Sequence, residues 1–210
     1  MTLIEYTLFA LSSLFVIIDP VATVPVFLAM TPGDSAAKRI RMARLACAIA
    51  AGVLLTFAFV GRWIFELLGI TLPAFQMAAS IVLLLIALDM LRAQPSRVRE
   101  TREETAEGTD KEDIAITPLA VPLLAGPGAI STVILLHNKA DTAAKTVALP
   151  LVILTVCLAS FLIFSLGARG ARWVGPIGLK LMERLMGLLL AAIAFQFLLN
   201  ALKELKVVTF

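Results

Sequence analysis

The stretch Phe15 to Phe27, FVIIDPVATVPVF, sets one acid and two prolines inside an otherwise apolar run. Asp19 followed by Pro20 is a pairing that starts helices: a side-chain acceptor at the N-cap, then a residue whose missing N–H and fixed φ suit the first turn. Pro25 removes a further backbone donor and crowds the carbonyl one turn back. A helix arriving from the amino terminus is therefore expected to stop and restart here. A second stretch, Thr117 to Thr132, TPLAVPLLAGPGAIST, has the same ingredients: Thr117-Pro118, Pro122, then Gly126-Pro127-Gly128. Asp19-Pro20 and Thr117-Pro118 are read as equivalent breaks. Unwound backbone at membrane depth is tolerated only where protein buries it or water lines it, so a cavity is expected at both.

The sequence around these breaks belongs to a membrane. The chain has 210 residues, 60% hydrophobic and 16% charged, with a mean hydropathy of +0.97. A soluble globular domain balances the two classes better. The apolar residues form six runs of roughly 17 to 25 residues, the length that crosses about 30 Å of hydrocarbon as helix. They are Leu3 to Met30, Arg44 to Trp63, Leu72 to Leu91, Ile114 to Leu136, Thr146 to Leu166 and Arg184 to Ala201. The expected fold is one all-α integral membrane domain over residues 1–210. A soluble enzyme, a nucleic-acid-binding module and a disordered chain are excluded. The amino terminus has no basic segment ahead of its apolar run, so that run is expected to persist as a span rather than be cleaved.

Residues 92–113, including RVRETREETAEGTDKED, alternate in charge and read as a solvated linker. The linker separates a first half, 1–91, from a second, 114–210, each with three expected spans. Any likeness between halves with an odd number of spans makes them inverted repeats. SIVLLLIALDML from Ser80 and GLLLAAIAFQFL from Gly187 align with Leu83/Leu190, Ile86/Ile193, Ala87/Ala194 and Leu91/Leu198 in common. Most of the 18 Lys and Arg fall in the loops after spans one, three and five, Lys38, Arg39, Arg41 and Arg44 among them. The positive-inside rule then places both termini on the periplasmic side. The net charge of +3 thus reports topology and not a nucleic-acid partner. Cys47 and Cys157 lie within apolar runs and read as packing residues, as do Ala43, Ala46, Ala50, Gly52, Gly187 and Ala191 at about one-turn spacing.

An ionisable group in hydrocarbon must be solvated, paired or neutral. Asp19 is expected to cap a half-helix, to hold a coupling cation, or to do both. Ala125 to Ala129 is expected to open a second half-helix whose bare amides, at the positive end of its dipole, receive an anionic group. Thr23, Ser131 and Thr132 place hydroxyls near the breaks, free for a ligand or bonded back to their own helix. The expected substrate site therefore comprises Asp19, Pro20, Thr23, Pro25, Thr117, Pro122, Gly126, Pro127, Gly128, Ser131 and Thr132, with Asp19 as the coupling residue. No cofactor or metal is expected. The partners are a small-molecule substrate, membrane lipid, and a proton or sodium ion; the oligomeric state is left open.

Two other classes compete. An intramembrane hydrolase would need Asp19 with Asp89, or Ser131 with His137, but Asp89 sits near a helix end and Ser131 and His137 point about opposite ways on one helix. A channel or a non-transporting subunit would lack saturable flux; no ring of charge or carbonyl filter is legible.

The runs FVIIDPVATVPVF, TPLAVPLLAGPGAIST and RLMGLLLAAIAFQF together resemble the MarC family of bacterial inner-membrane proteins, over essentially the whole chain. The resemblance implies six helices in two inverted repeats and, because some members look like neutral amino-acid transporters, movement of glycine- or alanine-like solutes. The chain departs from the family pattern at Ala22 and Thr23, where Gly and Asn are usual, and at Ala79 and Ser80, where a Gly pair is usual.

Overall fold

A computed structural model describes residues 1–31, 33–92, 119–170 and 176–205. These are helical apart from short connections. α1 (Leu3–Ile18) opens on a reciprocal cap, with Thr2 Oγ1 accepting from the Glu5 amide and the Glu5 carboxylate accepting from the Thr2 amide. α2 (Pro20–Met30) follows after one residue, then α3 (Ala36–Leu68) and α4 (Leu72–Arg92). Leu119–Leu124 forms a wide turn that leads into α5 (Pro127–Asn138), followed by α6 (Ala143–Gly170) and α7 (Pro176–Glu204).

Among the described residues, five stretches are long and apolar enough to cross a membrane: Leu3–Met30, Ala36–Leu68, Leu72–Arg92, Ala143–Gly170 and Arg184–Glu204. The protein is a multi-pass membrane protein. The helices overrun the expected spans. α3 begins at Ala36 where Arg44 was expected, because hydropathy marks the hydrocarbon while the helix runs out to its cap, the Ser35 hydroxyl. The stretch expected as a single span from Ile114 to Leu136 is not one helix in its described part: Val121 is extended (φ −138°, ψ 122°) and α5 has only 12 residues.

Two cores hold the helices together. In the larger, Ala10 and Leu14 of α1, Ala43, Ala46, Ala50 and Leu54 of α3, Ile130 and Val133 of α5, and Leu149 and Ile153 of α6 are fully or almost fully buried. Cys47 and Cys157 are buried there as well. The second joins Val26, Ala29 and Met30 of α2 to Leu83, Ala87 and Met90 of α4 and Leu190 and Ala194 of α7. Gly187 lets α4 and α7 meet closely: a Cβ there would lie 3.1 Å from the Ala87 carbonyl oxygen and 3.1 Å from the Leu91 nitrogen. Of the small residues expected to pack, Gly52 alone among the glycines faces open space instead.

One constant shift in numbering relates the halves. Asp34-Ser35-Ala36-Ala37-Lys38 opens α3, and Asp141-Thr142-Ala143-Ala144-Lys145 opens α6. Ser35 Oγ accepts from the Lys38 amide at 3.3 Å, and Thr142 Oγ1 from the Lys145 amide at 3.5 Å. Lys38 pairs with Asp34, and Lys145 with Asp141. The same shift carries Leu83 and Ala87 onto Leu190 and Ala194, all four buried between α4 and α7. It also carries Asp19-Pro20, which starts α2, onto Gly126-Pro127, which starts α5. The expected pairing of Asp19-Pro20 with Thr117-Pro118 follows a different register from this shift. A residue-type match before proline says nothing about which proline opens the helix. Thr117 and Pro118 lie outside the described residues.

α1 and α5 run side by side in opposite directions. The Tyr6 hydroxyl donates to the Leu136 carbonyl at 3.0 Å, Lys139 lies over the Phe9 ring, and Ile17 meets Gly128. Phe59, late in α3, meets His137 edge-on. One end of the molecule thus gathers the start of α1, the ends of α3 and α5 and the start of α6. The opposite end holds the end of α2 and the start of α3.

Candidate functional site

The antiparallel course of α1 and α5 brings two helix starts to one depth. α1, with 16 residues, descends about 24 Å before it stops. Asp19 ends it in a left-handed conformation (φ 41°, ψ 65°), and its amide donates back to the Phe15 carbonyl at 2.9 Å. Asp tolerates this region better than most residues with a Cβ. The same residue caps α2, its Oδ1 accepting from the Ala22 amide at 3.1 Å. Pro20 is buried at the first helical position. Pro25 does not break α2, contrary to expectation. The helix runs through it, at the cost of the N–H that would have bonded the Val21 carbonyl.

The second start has no side-chain cap. The Ala125 amide closes a wide turn onto the Ala120 carbonyl at 2.8 Å, with a cis peptide between Val121 and Pro122 inside it. Gly126 then caps α5 in extended conformation without a side-chain hydrogen bond. It has to be glycine for contact reasons: an added Cβ would sit 2.4 Å from the Pro122 carbonyl oxygen. Gly128, one position inside α5, packs on α1, where a Cβ would lie 3.3 Å from Ile17 Cγ2. The Gly128 and Ala129 amides occupy the first turn of α5, where intrahelical acceptors are lacking and the helix dipole is positive.

The structure therefore sets Ile17, two residues before Asp19, against Gly128, with the Pro122 carbonyl behind Gly126. It does not turn the expected hydroxyls toward a ligand. Thr23 Oγ1 donates to the Asp19 carbonyl at 2.8 Å, and Ser131 Oγ and Thr132 Oγ1 both donate to the Gly128 carbonyl, at 2.9 and 2.8 Å. Each is spent on its own helix. Ser131 Oγ thus bonds within its own helix, and the His137 ring meets Phe59 edge-on.

Ala125, Gly126 and Pro127 are buried. A cleft of about 270 Å³ lies at the amino-terminal end of the molecule, between Phe59, Arg62, Trp63 and Glu66 of α3 and His137 and Asn138 of α5.

Sequence reasoning missed Arg39, which it treated only as a topological charge. Arg39 is 6% exposed, and its guanidinium donates to the Thr31 carbonyl from Nε (3.2 Å) and Nη2 (2.7 Å) and to Thr31 Oγ1 at 3.1 Å. It caps the carboxyl end of α2 from α3, at the negative end of the α2 dipole. The signal was present: Arg39 shares a helical stripe with Met42, Ala43, Ala46 and Ala50, all buried.

Residues 4–206 match the MarC family integral membrane proteins. Similar proteins include the UPF0056 membrane protein MJ1677 of Methanocaldococcus jannaschii, 35% identical over 201 residues that cover 95% of this chain and 97% of the relative. The UPF0056 membrane protein YvbG of Bacillus subtilis is 36% identical over 87% of each chain. YhcE of Escherichia coli, also a UPF0056 membrane protein, is 30% identical over 90% of this chain and 88% of its own. No solved structure matches the chain.

Proposed function

This chain belongs to the MarC family of integral membrane proteins, and we propose that it is a secondary carrier of small neutral amino acids such as glycine or alanine, or of related metabolites. It works in the bacterial inner membrane, coupled to a proton or a sodium ion. The observation that carries this reading is the uncapped start of α5, which packs on α1 through Gly128 and Ile17, two residues before the Asp19 break. The bare amides of Gly128 and Ala129 suit a carboxylate. The Asp19 carboxylate, exposed at the end of α1, suits the coupling cation. A site that pairs fixed dipoles with one ionisable group suits a carrier of a small solute.

The six-crossing, inverted-repeat plan is part of the proposal, with the broken stretch that ends in α5 as the fourth crossing. Its support is the constant shift and the pairing of elements. Exchange of the halves leaves the α3–α6 and α4–α7 pairs unchanged, turns α2–α6 into α5–α3, and turns α2–α7 into α5–α4; all of these contacts are present. Alternating access by rocking of two such halves about a central site is the mode that this plan serves. With six crossings, the distribution of Lys and Arg places both termini in the periplasm.

The test is counterflow of radiolabelled glycine and alanine in proteoliposomes, with Asp19→Asn beside the parent. Asn caps helices as well as Asp and tolerates the left-handed region, so the variant keeps the break and loses only the charge. Trans-stimulated uptake in the parent that is lost in the variant is the expected result. Absence of counterflow from monodisperse, folded parent protein refutes the proposal for these substrates, and non-saturating flux assigns a pore.

A further inference from the structure

We infer that this conformation is latched at one end by Arg39 and open at the other through the cleft at Phe59 and His137, and that the carrier cycle exchanges the two arrangements. The inference rests on the carrier reading above. The shift that relates the halves carries Met30 and Thr31, at the end of α2, onto His137 and Asn138, at the end of α5. If the halves were packed alike, these ends would be equally covered. They are not: Met30 and Thr31 are 4% and 1% exposed, while His137 is partly exposed, Asn138 is exposed, and both line the 270 Å³ cleft.

The difference has a physical cause in one side chain. At the covered end, Arg39 reaches from α3 to the last residue beyond α2 and makes three hydrogen bonds to Thr31. A guanidinium taken out of water is tolerable only when it is well bonded, so these contacts hold the end of α2 firmly against α3. The shift carries Arg39 onto Thr146, whose hydroxyl donates to the Thr142 carbonyl of its own helix at 3.2 Å. Among the described residues, Thr146 therefore does not tie the end of α5 to α6 as Arg39 ties α2 to α3. Among the basic groups at that end, Arg62 bonds Glu66 within α3 at 2.8 Å, Lys145 pairs with Asp141 just ahead of α6, and Lys139 lies over the Phe9 ring of α1. Duplicated halves with unequal closure have a second arrangement of nearly the same packing, in which each half takes the pose of the other. Reaching it requires the Arg39–Thr31 contact to break while the cleft closes. The cleft is then the entry vestibule of the observed state, and Arg39 is a positioning residue that biases the equilibrium toward that state.

Thiol accessibility in full-length protein in nanodiscs tests this directly. Cys47 and Cys157 are replaced by alanine, and single cysteines are introduced at the equivalent positions as Met30→Cys and His137→Cys. Modification by a small hydrophilic maleimide is expected to be much faster at position 137 than at 30. Adding Arg39→Ala is expected to raise the rate at 30 about tenfold or more and to slow it at 137 by a similar factor, since a two-state equilibrium moves both ends together. Arg39→Lys falls between. Thr31→Val removes only the hydroxyl partner and shifts both rates less, in the same directions, which keeps the test open if Arg39→Ala fails to fold. A rise at 30 with no slowing at 137 makes Arg39 a local cap and overturns the inference; so does equal labelling in the parent. If glycine and alanine counterflow fails while the reciprocal change persists, the substrate reading falls and the latch stands; counterflow without reciprocity gives the converse.

Discussion

Gly126→Ala probes the junction where α5 begins, and its cost follows from contacts. Gly126 has φ −76°, a value any residue adopts, so alanine brings no conformational penalty there. The penalty is steric: the new methyl would stand 2.4 Å from the Pro122 carbonyl oxygen and 3.6 Å from its carbon. Ordinary carbon–oxygen contact is about 3.3 Å or more, so roughly 1 Å must be made up. The obstructing atom is backbone, inside a turn that the Ala125–Ala120 hydrogen bond closes. It cannot rotate away as a side-chain tip does. Overpacking of this kind costs about 1–3 kcal/mol, and rigid backbone points to the upper part of that range. For a chain of this size each kcal/mol lowers the melting temperature by about 2–4 °C, so a loss of about 4–10 °C is expected. Gly128→Ala is the milder comparison: its methyl meets only Ile17 Cγ2, at 3.3 Å, so a shift of a few tenths of an ångström relieves it. Thermal unfolding of both variants in detergent, followed by tryptophan fluorescence and by retention of the monodisperse peak, decides the matter. Gly126→Ala as stable as the parent, or no worse than Gly128→Ala, would show that the turn is not packed on Gly126 as described.

Other contacts make further predictions. Gly167→Ala puts a methyl 2.5 Å from Val24 Cγ1, between α6 and α2. It is expected to destabilise by about 1–3 kcal/mol, and Val24→Ala in the same chain should recover much of that, a non-additivity visible in a double-mutant cycle of melting temperatures. Gly187→Val should separate α4 from α7 and uncover Leu83, Ala87, Leu190 and Ala194, measured as faster amide exchange confined to those helices. The hydrogen bond from Lys145 holds the Asp141 carboxyl below its ordinary 3.8. A carboxyl with a lowered pKa in the folded protein stabilises above its unfolded value and loses that contribution as pH falls through the folded one. The melting-temperature gap between the parent and Asp141→Asn should thus be present at neutral pH and close as pH drops below about 4.

Most of the fold was legible because hydrocarbon imposes a coarse rule. A run of apolar residues long enough to cross is visible in composition alone, and α4 was placed within a residue. Helix ends were not, because capping decides them: Ser35 starts α3 eight residues before the apolar run does, among charged residues that hydropathy discards. The capping signal was nevertheless written twice, as Asp-Ser-Ala-Ala-Lys at 34–38 and Asp-Thr-Ala-Ala-Lys at 141–145. Polar pentapeptides with the same cap and the same ion pair are far less probable by chance than matching leucines, and they carry the register of the proposed repeat. Arg39 was illegible for another reason. Its partner is a backbone carbonyl and a hydroxyl at the end of a different helix, and no local pattern in the sequence announces a cap supplied from outside the element it caps.

The register given by the constant shift changes what the site would mean. With Thr117 as the counterpart of Asp19, each break would carry its own side-chain cap, and the two half-helix starts would be equally satisfied. With Gly126 as the counterpart, they are not. Asp19 occupies the first turn of α2 with its own carboxylate, while α5 begins on a residue that has no side chain to offer. Restoring symmetry by Gly126→Asp is blocked by the Pro122 carbonyl, which leaves no room for a Cβ. The chain thus has one self-capped helix start, bearing a charge, and one start with no side-chain cap. A helix start left bare at membrane depth costs free energy unless something supplies the acceptor. In the carrier proposed above, an anionic group on a small solute would do so at α5 and would have no such opening at α2. The polarity proposed for the site, anion at one half-helix and cation at the other, would follow from that single inequality between the two helix starts.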